Sequence, residues 1–215
     1  MTTIEHQTIF PTHLFLIEDL YNSDTTAMKK YISDLWVNRD YDDRWQTKSA
    51  DLHKKKEFKE FAELVISTIK EIINELKYDV EDIVITDMWA TVLKSGENHP
   101  AHTHSNNFLS GVWYLQSYDQ GSSIMFQDPR PAAGVILPRM TEQTIANANL
   151  LSYASKQNRA MFFPSWLPHY VKPNKSESKR ISIAWNVQVK GPVGEHHEFQ
   201  SADFLLYFIL SRYYG

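Results

Sequence analysis

The spacing of apolar residues changes character about a third of the way along the chain. Phe58, Phe61, Ala62, Val65, Ile69, Ile72, Ile73 and Leu76 recur at i, i+3, i+4 and i+7. That period predicts a helix burying one stripe against a sheet. A shorter helix is expected earlier, capped by Ser23 or Asp24, with Met28, Tyr31, Ile32 and Leu35 on one face. Residues 12–17 read as a strand, and the polar stretch 38–56 as irregular. From residue 82 the texture turns β-branched and aromatic. Strands are expected at 83–85, 88–93, 108–115, 122–126, 149–153, 159–163 and 180–189, with a turn at 119–121. Pro129, Pro131, Gly134 and Pro138 mark a long loop. Many short strands at regular spacing predict a mainly β chain with flanking helices, its strands forming a double-sheet jelly roll or barrel. One domain is expected, with helical support over residues 1–80 and the β core over 81–190.

Composition narrows the function. The 215 residues are 42% hydrophobic and carry a net charge of −4, with no dense basic stretch beyond residues 54–56. An electrostatic nucleic-acid binder is therefore not expected. Cysteine is absent, which removes disulfides, thiolate zinc sites and iron–sulfur clusters from consideration and is compatible with a reducing cytosol. No signal peptide and no span long enough for a membrane is visible. The apolar segment 204–210 reads as a packed element or as a subunit contact in a homodimer. Aromatics make up 13% of the chain, which favours a β-rich core or an aromatic-lined pocket.

The chemistry concentrates in His99-Pro-Ala-His102-Thr-His104, then His169, then Arg180-Ile-Ser182. On an extended strand i and i+2 share a face, so His102 and His104 can grip one ion. His169 closes a three-pointed set from another strand. Arg180 lies eleven residues further on, far enough to return on an adjacent strand after a turn. A cation near a metal calls for an anion between them. The pattern fits a ligand that chelates the metal at one end and presents a carboxylate to Arg180 at the other, with Ser182 adding a hydroxyl. Imidazoles without thiolate suit Fe(II), Zn, Ni or Cu rather than Mg or Ca. Asn107, Ser110, Tyr114 and Asn186 are candidates to line the pocket, although Ser110 and Tyr114 also fit ordinary strand packing. Arg130 and Arg139, in the long loop, are candidates for recognising an anionic substrate. His6, His13 and His53 are read as ordinary, and His196-His197 as a solvated loop.

The blocks His102-x-His104 with Phe108-Leu-Ser-Gly-Val-Trp-Tyr-Leu115, Phe126-Gln-Asp-Pro129, Phe163-Pro-Ser-Trp-Leu-Pro-His169 and Arg180-Ile-Ser-Ile-Ala-Trp-Asn186 resemble the 2-oxoglutarate/Fe(II) oxygenase superfamily. More narrowly, they resemble its members from marine bacteria and cyanobacterial phages. Trp45-Gln46 and Asp51-Leu-His53 resemble the N-terminal part of that group more loosely. The resemblance implies a double-stranded β-helix, Fe(II), and 2-oxoglutarate and O₂ as cosubstrates. It also implies succinate and CO₂ as coproducts, and hydroxylation of a peptide or small-molecule primary substrate. It assigns His102, His104 and His169 to the metal and Arg180 and Ser182 to the 2-oxoglutarate tail. The superfamily motif is His-x-Asp or His-x-Glu, and His104 occupies its acidic position. Three readings follow: a three-histidine set, a carboxylate supplied by Asp128, or an aligned His104-x-Asn106 pair with His102 behind it. Two other classes remain beside this one. One is a cupin-like three-histidine dioxygenase that does not use 2-oxoglutarate; the other is a metal-stabilised jelly-roll module without catalysis.

Overall fold

The computed structural model describes residues 2–37, 45–118, 121–130, 132–195, 199 and 201–204. Helix α1 (Thr26–Val37) and helix α2 (Lys59–Glu75) precede most of the strands. Strands β1 (Phe15–Ile17), β2 (Trp45–Gln46), β3 (Asp82–Leu93), β5 (Leu109–Gln116), β8 (Ala160–Pro164) and β10 (Arg180–Lys190) form a six-stranded antiparallel sheet in the order β1-β8-β5-β10-β3-β2. Strands β4 (His99–His102), β6 (Ile124–Gln127), β7 (Leu150–Tyr153) and β9 (His169–Val171) form a four-stranded sheet in the order β4-β9-β6-β7. The two sheets face each other as a double-stranded β-helix, and the helices cover the outer face of the larger one.

Each face of the large sheet has its own apolar layer. Outside, Met28 and Ile32 of α1 and Phe61, Val65 and Ile69 of α2 pack on Met88, Trp113 and Trp185. Between the sheets, Val112, Tyr114, Ile124, Phe126, Met161, Phe163 and Leu167 cluster. The α2 stripe forms as its periodicity predicts. In α1 the expected face is narrower than the sequence suggests. Met28 and Ile32 are buried, Tyr31 is partly buried, and Leu35 is exposed, while Trp36 in the last turn packs against the core instead. Asp24 caps the helix start, its carboxylate accepting the Thr26 amide at 2.9 Å. The polar stretch before α2 is not wholly irregular. Short 3₁₀ turns cover Leu52–Lys54 and Lys56–Phe58, and Leu52 and Phe58 are buried.

Residues 83–85 and 88–93 are one strand rather than two. Asn186 pairs with Asp87 and Val187 with Ile85, so Thr86 is the extra residue of a β-bulge. The bulge changes the parity of β3. Ile83 and Ile85 face the helices before it; Met88, Ala90 and Val92 do so after it. Asp87, Trp89 and Thr91 are thereby turned toward the space between the sheets. Gly111 of β5 is required where two layers meet closely, since a Cβ there would lie 2.4 Å from Trp185 Cζ2. No described helix is long and apolar enough to cross a membrane. The turn at 119–121 is described only at Gly121, and residues 196–197 and 205–210 lie outside the described residues.

Candidate metal centre

His102, His104 and His169 converge, each offering a ring nitrogen within 4.8 Å of the others. They do not arrive as one strand's alternating face. Strand β4 carries a bulge between His99 and His102, pairs His102 with His169 across β9, and then ends. His104 lies beyond the strand end and is placed by its own backbone, whose N–H donates to the Ser165 carbonyl at 2.8 Å. His104 Nε2 and His169 Nε2 are 3.3 Å apart. Two nitrogens bonding one ion at right angles, at about 2.1 Å each, sit ~3 Å apart. That pair is therefore already close to ligating geometry.

Backbone carbonyls set the tautomers. His102 Nδ1 lies 2.9 Å from the Pro100 carbonyl and His169 Nδ1 lies 2.9 Å from the Leu167 carbonyl. A carbonyl only accepts, so Nδ1 carries the proton in both rings and the lone pair sits on Nε2. Burial and the neighbouring His102 push His104 down to about 4, with Asp87 opposing. Burial likewise pushes His169 down to about 3, against the hydrogen bond to Leu167. At neutral pH both rings are neutral, the form that binds metal. Trp89 lies against His104 with centroids 5.7 Å apart, and Phe163 lies edge-on to His169 at 4.8 Å.

Arg180 lines the same cavity as the three histidines. It does not sit on a strand adjacent to His169, as the sequence suggested: β9 belongs to the small sheet and β10 to the large one. The cavity lies between them. Phe163, against His169, is level with Ser110 on β5, whereas Tyr114, under the Arg180 guanidinium, is four residues further along. Those two levels of β5, Ser110 and Tyr114, are ~13 Å apart along the strand. Arg180 is buried and donates to Ser122 Oγ at 2.8 Å and to Ser182 Oγ at 3.3 Å. Its Nε is buried without a partner, and no carboxylate pairs with it among the described residues. Burial depresses its pKa, with Tyr114 acting in the opposite sense. Tyr114 is buried, its pKa raised by burial, and its hydroxyl makes no hydrogen bond among the described residues.

The remaining predicted residues separate. Tyr114 and Ser182 line the cavity; Asn107 and Asn186 do not. Asn107 is tied to Thr86 and to the Ser105 carbonyl, and Asn186 to Ser110 and Asp87. Asp128 is outside the histidine cluster. Its carboxylate receives Arg130 Nε at 2.9 Å and Nη2 at 2.7 Å, a two-pronged grip that engages both groups with each other. Sequence reasoning missed Ser122, Gln46, Trp89, Thr91 and His99, all at the cavity or on Arg180. Trp89 and Thr91 follow from alternation once the Thr86 bulge is recognised. His99 stacks on His102 with centroids at 4.3 Å and was visible in the histidine cluster itself.

The donor set suits a borderline metal and the orphaned guanidinium suits an anion beside it. A jelly roll with such a cavity defines a class of metal-binding β-helix proteins. Residues 87–186 match the family described as putative 2OG-Fe(II) oxygenase. The fold is similar to HygX from Streptomyces hygroscopicus, solved with nickel and 2-oxoglutarate bound (10% identity, 82% of this chain and 83% of that one, TM-score 0.56). It is also similar to a Pseudomonas putida prolyl-4-hydroxylase (11% identity, 82% and 93% covered, TM-score 0.53). A third similar structure is the α-ketoglutarate-dependent epimerase SnoN from nogalamycin biosynthesis (7% identity, 90% and 86% covered, TM-score 0.59). No curated protein matches the chain in sequence. Fold and family match together support the 2-oxoglutarate/Fe(II) oxygenase superfamily.

Proposed function

We propose that the protein is an Fe(II)- and 2-oxoglutarate-dependent dioxygenase that hydroxylates a peptide or small-molecule substrate, with succinate and CO₂ as coproducts. The observation that carries this reading is Arg180, a buried guanidinium without an acidic partner among the described residues, in the cavity that the three histidines enter. A buried unpaired charge is costly, and a dicarboxylate bridging metal and guanidinium removes that cost. The cupin-like alternative gives Arg180 nothing to bind.

His102, His104 and His169 would hold the iron, in place of the usual two histidines and one carboxylate. When bound, iron and 2-oxoglutarate supply the oxidising power for activating O₂. The chain's own groups bind and orient. Arg180 pairs with the distal carboxylate of 2-oxoglutarate. Ser182 and Ser122 hold the guanidinium in place, and the Tyr114 hydroxyl offers a further donor. Val112, Phe163 and Ile124 keep water from the methylene chain. Three neutral imidazoles leave Fe(II) at +2, which the 2-oxoglutarate dianion neutralises. The same reading takes the chain as one oxygenase domain, with residues 1–80 supporting a core over 81–190.

Anaerobic titration with Fe(II) and 2-oxoglutarate tests it. A metal-to-ligand visible absorption band should develop to one equivalent, and His169→Ala should abolish it. No band in Fe(II)-loaded protein would favour a cupin-like or purely structural metal site.

A further inference from the structure

Asn107 and Asn186, which the sequence suggested for the cosubstrate, belong to a partly buried polar network outside the cavity. Its hydrogen bonds can be directed from chemistry alone. The Asp87 carboxylate only accepts, so Asn186 presents Nδ2–H to it, at 3.4 Å. The Asn186 Oδ1 then faces Ser110 and accepts its hydroxyl proton at 2.8 Å. Ser110 has spent its proton, so the Ser165 hydroxyl, 2.8 Å away, must donate to Ser110 Oγ. The donors therefore run one way, from Ser165 through Ser110 and Asn186 to Asp87, and such aligned chains reinforce each other. All four residues sit on different elements: the turn after β8, then β5, β10 and β3.

The chain ends at the metal centre. Ser165 is fully buried, and its carbonyl accepts the His104 amide at 2.8 Å. Ser165 also lies in the turn that leads into β9 and His169. Its N–H donates to the Phe108 carbonyl at 3.2 Å, and Leu167 N–H closes the turn on the Pro164 carbonyl at 3.0 Å. The Leu167 carbonyl in turn orients the His169 ring. The backbone of this turn thus braces two of the three imidazoles, including His104, which has no strand to hold it, and the Ser165 hydroxyl ties the turn to Ser110.

We propose that Ser165, Ser110 and Asn186 are positioning residues that tie the His104–His169 pair to Asp87. The proposal rests on reading the three imidazoles as a metal centre. Asp87 ends the chain as a carboxylate acceptor that lies outside the ligand set. Outer partners of metal ligands typically contribute 10–100-fold in affinity.

The test uses Co(II) alone on the full chain, read by its ligand-field absorption and affinity, beside thermal melting of the metal-free protein. Ser165→Ala and Asn186→Ala should each weaken Co(II) by about 10-fold or more and alter the band shape. Asp87→Asn should weaken affinity with less change in shape. Asn158→Ala is the control: it removes acceptors from the Tyr21 amide and the Trp113 indole on the helix side. It should lower the melting temperature and leave Co(II) binding intact. The strut is overturned if the Ser165 and Asn186 variants bind Co(II) like the parent, or lose affinity only as far as Asn158→Ala does for the same drop in melting temperature. Absence of Co(II) binding by the parent would overturn the metal centre itself and the strut with it.

Discussion

On the helix side of the six-stranded sheet, β10 contributes Ile183, Trp185 and Val187; on the other side it contributes Arg180, Ser182 and Ala184. The helix side is apolar and closed, with Phe61 at 4.5 Å from Trp113 and 5.7 Å from Trp185. The cavity side holds a buried cation without an anion among the described residues, and three converging imidazoles. Adjacent residues of one strand therefore do opposite work. The helix-side layer supplies the stability that lets the cavity side keep groups which are unfavourable until a ligand arrives. Breaking each face in turn should separate the two roles.

Trp185→Ala carries the largest expected effect. The ring is fully buried between Phe61 and Phe162, with Gly111 pressed against it. Its loss leaves a cavity and should cost about 3–5 kcal/mol. Urea unfolding measures this. Metal binding by the folded fraction should be unchanged, and a matching loss of metal affinity would show that the two faces are not separable.

Arg180→Met makes the opposite break. It should lower 2-oxoglutarate affinity of the metal-loaded protein by about 30-fold or more, as expected when one partner of a buried charge pair is removed. The ligand-free protein should melt no lower than the parent, since an unpaired buried charge has been replaced by an apolar side chain of similar length. Titration and melting of the same variant decide it. Unchanged 2-oxoglutarate affinity would remove Arg180 from the site, and a large fall in melting temperature would make it a structural residue.

Much of this contrast was readable in the chain, and the gaps have physical causes. The α2 stripe and strands β5 and β10 follow from period alone. The three histidines and Arg180 stand out because imidazoles clustered before a strand and a lone Arg opening one have few structural uses. Period reports a face, not what lies across from it. Hence Ser122 was invisible, since it reaches Arg180 from the irregular segment that leads into β6. The Thr86 bulge made one strand look like two and hid the cavity-facing parity of Trp89 and Thr91. Asn186 fell on the cavity side by alternation, yet its carboxamide is consumed by Asp87 and Ser110. His104 looked like the i+2 partner of His102 but is held through the Ser165 carbonyl, a contact made 61 residues away.

A pH series tests the cavity side more gently. His104 and His169 are depressed to about 4 and about 3 in the folded protein, from an ordinary value of 6.5. Below 6.5 the unfolded chain therefore binds more protons, and stability rises with pH between about 3 and 6.5. The metal-free protein should be fully stable above pH 6.5 and lose stability as the pH falls through the folded values. His169→Gln should flatten that slope between pH 6.5 and 4.5 in melting experiments. An unchanged slope would mean that the buried imidazoles already ionise in the fold.

Arg130→Ala carries the smallest expected effect and makes the sharpest distinction within the cavity side. The Arg130 side chain is mostly exposed, at 71%, whereas that of Asp128 is 12% exposed. The pair holds the Asp128 carboxyl below the usual range. Removing the guanidinium frees the one carboxylate that the sequence offered as a replacement for His104. If the metal set is three imidazoles, Fe(II) affinity and the visible band with 2-oxoglutarate should stay as in the parent, because Asp128 has no place in the cluster. If freeing Asp128 tightens metal binding, and Asp128→Asn reverses the gain, the carboxylate reaches the ion and the site is of the two-histidine kind. With its guanidinium largely in water, the pair contributes little to stability through salt-screened attraction. A shift in metal affinity in this variant would therefore report ligation rather than a loosened fold.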